Sequence, residues 1–177
     1  MLPIFLYGDP CDTTAKDLSK ALRAFGSVIH ITSSGIHQQG ADSQCFFICE
    51  TAPKNIDMPF GIAVIKNKIF KDMQLNIPAH FPVIVSSDNK TALSMLQNSP
   101  HPIITCGMSV TDTISISSKC ETSASVSLQR SFRDFHGNMV EECEIPIKLN
   151  CRISDYAISV AVAVLLLCRG GTDGICF

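Results

Sequence analysis

The chain is short of charge and of the usual signatures of cysteine chemistry. Asp, Glu, Lys and Arg make up 17% of its 177 residues and leave a net charge of -2. No basic run clusters, so neither nucleic acid nor an anionic membrane has an electrostatic claim on it. Nine cysteines are present, yet none forms a C-x-x-C. The pair Cys45 and Cys49 in "CFFIC" lies four residues apart on one face of an expected strand, and without any C-x-x-C a structural zinc site is not expected. No secretory leader with charged, apolar and cleavage regions is seen. The expectation is a reducing cytoplasm, with the cysteines as buried free thiols. No apolar run approaches the ~20 residues that a membrane span needs. The longest, Tyr156 to Cys168 ("YAISVAVAVLLLC"), has almost no polar face and predicts a core helix covered on most sides.

No internal repeat, low-complexity linker or composition break divides the sequence, so a single domain over residues 1–177 is expected. At this length about 70% of the unfolded chain's surface is buried on folding, and a hydrophobic content of 46% supplies a core without metal or disulfide. A monomer or a small homo-oligomer fits these numbers equally well.

In the first hundred residues short apolar runs alternate with helical patterns, the signature of βαβ units. Strands are expected at Ile4 to Tyr7, Ser27 to Thr32, Cys45 to Glu50, Gly61 to Ile65, Pro82 to Ser86 and Ile103 to Cys106. A helix over Thr14 to Phe25 places Leu18, Ala21, Leu22 and Phe25 on one face, with Gly26 as its C-cap. A second helix spans Asn89 to Gln97. From Asp112 to Asn150 the pattern changes to period 2 in "TISISS", "ASVSLQRSF" and "EIPIKL", which predicts antiparallel strands with one wet face. "FHGN" (Phe135 to Asn138) reads as a hairpin turn. The fold class is therefore α/β: a mostly parallel sheet with helices on both faces plus an antiparallel β extension.

One segment carries the chemistry. "LYGDPCDTTAKDLSKALRA" runs from strand through glycine and a polar turn into two threonines that open an amphipathic helix. This is the layout of a phosphate-binding loop, except that Asp12 stands where a lysine is needed. Two readings of Asp12 stand side by side. It caps the helix, its carboxylate next to the positive end of the dipole, or it joins Asp9 and Glu50 in an acidic cluster that holds a hard cation.

The order of elements around this loop resembles the central, ATP-binding domain of Mur ligases, the amide-forming enzymes of peptidoglycan synthesis, from about Pro3 to Cys168. Laid on the family motif G-T-N-G-K-T-T, Gly8 matches the first glycine, Asp9 the threonine, Pro10 the asparagine, Cys11 the second glycine, Asp12 the lysine, and Thr13 and Thr14 the two threonines. "CFFICET" is similar to the strand ending in the family's magnesium-linked glutamate, which implies that role for Glu50. "FGIAVIKN" looks like the next strand, with Asn67 as its asparagine. "FPVIVSSDNKTALSML" resembles the family's strand, turn and helix, with Asp88 and Asn89 at the turn, and "YAISVAVAVLLL" resembles its final helix.

The departures fall on the chemistry. Pro10 lacks an N–H, Cys11 adds a side chain where glycine allows close approach, and Asp12 reverses a charge. The family's histidine and carbamylated lysine after the glutamate have no assigned counterpart in "NKIFKDMQLN". The asparagines that meet the adenine are missing from "CRISDY". None of the five histidines is assigned to catalysis. The resemblance therefore implies a non-catalytic, ligase-like domain, a pseudo-ligase that binds a protein or small ligand in the cytoplasm. No catalytic residue and no cofactor are expected. The alternative is a nucleotide- or metal-binding enzyme that uses the carboxyl edge of the sheet, and ATP with magnesium enters only there, through Gly8, Asp9, Asp12, Thr13, Thr14 and Glu50.

Overall fold

A computed structural model describes residues 1–42, 44–51, 53, 55–70, 73–169 and 177. Its strands are β1 (Leu2–Tyr7), β2 (Ser27–Thr32), β3 (Gly35–Gln39), β4 (Cys45–Cys49), β5 (Ile62–Ile65), β6 (Val83–Ser86), β7 (Ile103–Gly107), β8 (Ile114–Lys119), β9 (Ser123–Leu128), β10 (Phe132–Arg133), β11 (Met139–Val140) and β12 (Cys143–Lys148). The helices are α1 (Thr14–Leu22), α2 (Lys90–Leu96) and α3 (Asp155–Arg169).

Ten strands form one sheet in the order β12, β9, β8, β7, β6, β5, β1, β4, β2, β3, and β10 pairs with β11 separately. Pairing is parallel from β2 through β4, β1, β5, β6 and β7 to β8, and antiparallel at the two flanks, β2 with β3 on one side and β8 with β9 and β9 with β12 on the other. The architecture is α/β with a large, mostly parallel sheet. β1 lies at its centre, buried on both faces, as a continuous apolar run requires.

Alternation along the strands feeds two cores. Ile4, Leu6, Ile48 and Val64 face α1 and α3, while Phe5, Tyr7, Ile65 and Val85 face the opposite side, covered by Ala92 and Leu96 of α2 and by Ile56, Met58, Ile69 and Leu75 from long connections. Helices therefore lie on both faces. α3 is buried from Tyr156 through Leu167. Among the described residues no helix is long and apolar enough to cross a membrane.

Three expectations need correction. β3 is not among the expected strands, because its only large apolar residue, Ile36, is 69% exposed; it is an edge strand, wet on both faces and, among the described residues, paired only with β2. Gly26 is not a C-cap. α1 ends at Leu22 with Arg23 as its cap, and Gly26 is small because a Cβ there would lie 2.5 Å from the Gln44 carbonyl oxygen. The cysteines are not uniformly buried either. Of the eight described ones, Cys49 and Cys106 are buried while Cys11, Cys120 and Cys151 are exposed. Cys176 lies outside the described residues. The "FHGN" turn does join β10 to β11, with Gly137 at φ 84°.

The chain's two tyrosines give the fold an alkaline limit. Burial pushes Tyr7 up to about 12, with Cys49 adding to it. Desolvation drives Tyr156 well above its ordinary value, with Cys106 and Asp12 adding to it. A raised folded-state pKa means that this stabilisation is complete below the unfolded value near 10 and is lost as pH climbs through the folded values. The folded protein is expected to show almost no tyrosinate absorbance at pH 10.5. Above that, absorbance should rise together with the loss of far-ultraviolet dichroism, and with no tryptophan the signal is clean. Phenolate appearing at pH 10 with the dichroism intact contradicts the burial of both rings.

Candidate functional site

The carboxyl ends of the central strands meet at the loop that follows β1. Gly8 turns the chain at φ 141°, and its lack of a side chain is obligatory. A Cβ there would lie 2.5 Å from the Lys68 carbonyl oxygen and 2.8 Å from the Lys66 Cβ. The Asp9 N–H donates to the Lys68 carbonyl at 2.8 Å, and the Asp12 N–H to the Asp9 carbonyl at 3.1 Å. Asp9 Oδ1 accepts from the Cys11 N–H at 2.8 Å. Pro10 has no N–H to offer.

Asp12 completes the closure. Its Oδ1 accepts from the Thr14 N–H at 2.8 Å and from the Thr14 hydroxyl, and its Oδ2 accepts from the Lys68 N–H at 3.1 Å. Helix N-termini attract anions because their first N–H groups lack partners and the dipole is positive there. Here the anion is internal, a carboxylate contributed by the loop itself. The N-cap position belongs to Thr13, whose side chain makes no cap bond. Asp12 thus serves the helix from one residue upstream, in an Asx turn.

The cation that the loop lacks arrives from the neighbouring strand. Lys66 follows β5 directly, with its side chain 1% exposed. Its ammonium donates to the Asp9 carbonyl at 3.0 Å and pairs with Glu50 Oε2. The other oxygen of Glu50 lies 2.6 Å from His30 Nε2. In the sheet β5 and β4 flank β1, so Lys66 reaches Glu50 by crossing the end of β1, over Gly8. His30 registers opposite Ile48, which places Glu50 two residues further along on the same face. Asn89 fixes the approach: its amide donates to the Lys66 and Asn67 carbonyls at 3.1 and 3.2 Å while its Oδ1 caps α2 through the Ala92 N–H.

The three carboxylates proposed as a cation cluster therefore have separate partners. Asp9 holds Cys11, Asp12 holds Thr14 and Lys68, and Glu50 holds Lys66 and His30. Among the described residues no group of three or more His, Cys, Asp or Glu side chains converges for a metal.

Beside the loop lies a cleft of about 800 Å³, lined among others by Asn67, Asp88, Asn89, Met108, Asp155 and Tyr156. It opens over the carboxyl ends of β6 and β7 between the starts of α2 and α3, where open α/β sheets take ligands. Tyr156 is anchored by its buried hydroxyl, which donates to the Ile65 and Ile84 carbonyls at 2.6 and 3.3 Å. None of Gly8 to Thr14, His30, Glu50 or Lys66 lines it.

No family model and no curated protein matches the chain. Solved structures do. Over 90% of its length it is similar to a murein peptide ligase Mpl from Psychrobacter arcticus (TM-score 0.52, 13% identity), and over 98% to MurF ligase from Thermotoga maritima in complex with ADP (TM-score 0.54, 10% identity). A UDP-N-acetylmuramate:L-alanyl-gamma-D-glutamyl-meso-diaminopimelate ligase from Neisseria meningitides aligns over 92% (TM-score 0.55, 12% identity). The fold is Mur-ligase-like. The chain covers 42%, 47% and 60% of the Mpl, MurF and Neisseria chains respectively, so this Mur-ligase-like unit corresponds to part of each.

Within the Mur-ligase-like frame, the loop residues and Glu50 lie together at the carboxyl edge, bridged by Lys66. Lys66 and His30 are the members that sequence reasoning left out. The signal for Lys66 was a charge directly after "GIAVI", since a lysine that ends a fully buried parallel strand requires a buried partner. His30 had a weaker signal, a polar residue within "SVIHIT" on the strand next to the one that ends in Glu50.

Proposed function

We propose that this Mur-ligase-like domain is a non-catalytic binding or scaffold protein of the cytoplasm, a pseudo-ligase whose phosphate loop is degenerate. The observation that carries the reading is the self-satisfied loop. Its N–H donors at Asp9, Cys11, Asp12 and Thr14 are bonded to the chain's own oxygens, and a carboxylate already holds the helix terminus. A nucleotide would have to displace Asp12 from two N–H groups and a hydroxyl, then sit beside its charge. At about 4 Å and an effective dielectric of about 20, that repulsion is ~4 kcal/mol. The exposed thiols fit a reducing compartment. The adjoining 800 Å³ cleft is large enough for a small ligand or a partner's side chains, and it is the surface through which the domain would bind.

Calorimetric titration of the native protein with millimolar ATP and magnesium tests this. The expected result is a flat thermogram. A saturable heat of ATP binding overturns the proposal and favours a nucleotide-using enzyme, with His30, Glu50 and Lys66 as the first residues to substitute.

A further inference from the structure

The two rims of the ten-stranded sheet are built differently. β12, which ends one side, carries Pro146 and the charges of Glu144 and Lys148, devices by which an edge strand resists pairing with another chain. β3, at the other rim, has none of them: "GIHQQ" holds no proline, Asp, Glu, Lys or Arg, and it pairs with β2 in unbroken register. The direction of its backbone groups follows from β2. The Ile31 carbonyl accepts from the Glu50 N–H at 2.9 Å, so it points at β4 and away from β3. Ile31 faces Ile36 across the antiparallel pair. That pair is therefore a non-hydrogen-bonded one, and so, two residues on, is Ile29 with Gln38. The N–H and C=O groups of Ile36 and Gln38 point outward from the rim, and among the described residues no protein group meets them. Ile36 adds an apolar side chain, 69% exposed, on the same face as the partly buried Ile31.

We propose that β3 is a dimerisation strand, which pairs antiparallel with β3 of a second copy of this chain and continues the sheet across a two-fold axis. Extended main chain is what meets a row of outward N–H and C=O groups. The same groups fix the register. A centre on His37 sets Ile36 opposite the partner's Gln38 and Gln38 opposite the partner's Ile36. Each of these pairs exchanges two hydrogen bonds, so every outward group of both strands is used. A centre on Ile36 would leave Gln38 opposite the β2–β3 turn, and a centre on Gln38 would leave Ile36 opposite Gly40, where the chain turns away at φ 87°. With His37 at the axis the two Ile36 side chains become diagonal neighbours on one face. Two copies of an uncharged strand also meet without like-charge repulsion. The rim is five residues long, short of the ~1,600 Å² of a standard interface, so the dimer is a weak one. None of the loop residues Gly8 to Thr14 takes part in it.

Sedimentation equilibrium of the native protein with reductant tests this. The mass should rise from 19.2 kDa toward twice that value between ~5 and ~500 μM, the range that a contact of this size implies. Gln38→Pro removes an outward N–H that the fold itself does not use, and should hold the mass at the monomer value throughout with far-ultraviolet dichroism unchanged. Should that variant unfold, His37→Lys, which sets two like charges opposite one another at the axis, takes its place with the same expected result. The register is read separately. Directly opposed residues at a non-hydrogen-bonded position have Cα atoms about 4.5 Å apart, within disulfide reach. Under mild oxidation His37→Cys should therefore give an intermolecular bridge through position 37, roughly tenfold more of it by peptide mapping than Ile36→Cys or Gln38→Cys gives through its own position. A native protein of monomer mass at every concentration, a dimer that persists in the folded Gln38→Pro or His37→Lys variant, or bridges that form as readily through position 36 or 38 as through 37, overturns the proposal.

Discussion

Lys66→Met is expected to lower the unfolding free energy by roughly 3–5 kcal/mol, the cost of removing one partner from a buried ion pair. For a chain of this size that is a fall in Tm of about 6–20 °C, read by thermal melts under reducing conditions. The reason is what stays behind. Glu50, with its side chain 12% exposed, loses its counter-charge and the Asp9 carbonyl loses a donor, while the methionine fills the volume without answering either. Lys66→Met/Glu50→Gln should recover most of the loss, because the pair removed together leaves no buried charge. Lys68→Met is the control. Its side chain is exposed and only its backbone binds the loop, so its change should stay within ~0.5 kcal/mol. A Lys66→Met protein that melts with the native one would show that the ammonium is not held between Glu50 and Asp9.

That prediction rests on a residue the sequence did not advertise as part of the loop, and the reason is geometric. Periodicity reports which face a side chain occupies on its own strand, and in those terms much of the fold is readable: the apolar strands, the start of the amphipathic α1 and the largely apolar α3 form where patterning puts them. The signal weakened where an element has little to bury, as at β3, or where a glycine is small for a distant neighbour's sake, as Gly26 is for Gln44. It ended where the partner lies across a strand. Glu50 and Lys66 are brought together because β1 lies between their strands and is followed by Gly8, and strand order is a tertiary fact. Loop chemistry behaved the same way. The aspartates were legible as the wrong charge for a phosphate loop, but that Asp12 would bind the Lys68 N–H required the segment after β5 to be laid alongside it.

The closed loop also changes what repairing it would take, and this gives the second large expected effect. If charge alone were at fault, Asp12→Lys would turn a repulsion of ~4 kcal/mol into an attraction of similar size, a swing of nearly six powers of ten in affinity, and ATP binding would appear at once. The geometry argues otherwise. The substitution frees Thr14 and the Lys68 N–H, yet Asp9 Oδ1 still holds the Cys11 N–H, Pro10 still lacks a donor, and Cys11 still carries a side chain where glycine permits close approach. The new ammonium would also stand near that of Lys66, which already donates to the Asp9 carbonyl. Asp12→Lys alone should therefore give a flat titration with magnesium and ATP. So should Pro10→Asn/Cys11→Gly/Asp12→Lys, because Asp9 keeps its Asx turn. Only with Asp9→Thr added, which rebuilds the whole ligase-type motif from Gly8 to Thr14, should a saturable heat appear, at a Kd of about 1 mM or tighter, equivalent to ~4 kcal/mol or more. Far-ultraviolet dichroism on each variant separates loss of fold from loss of binding. Binding by the single Asp12→Lys variant would show that the backbone closure is no barrier and that one reversed charge is what keeps nucleotide out.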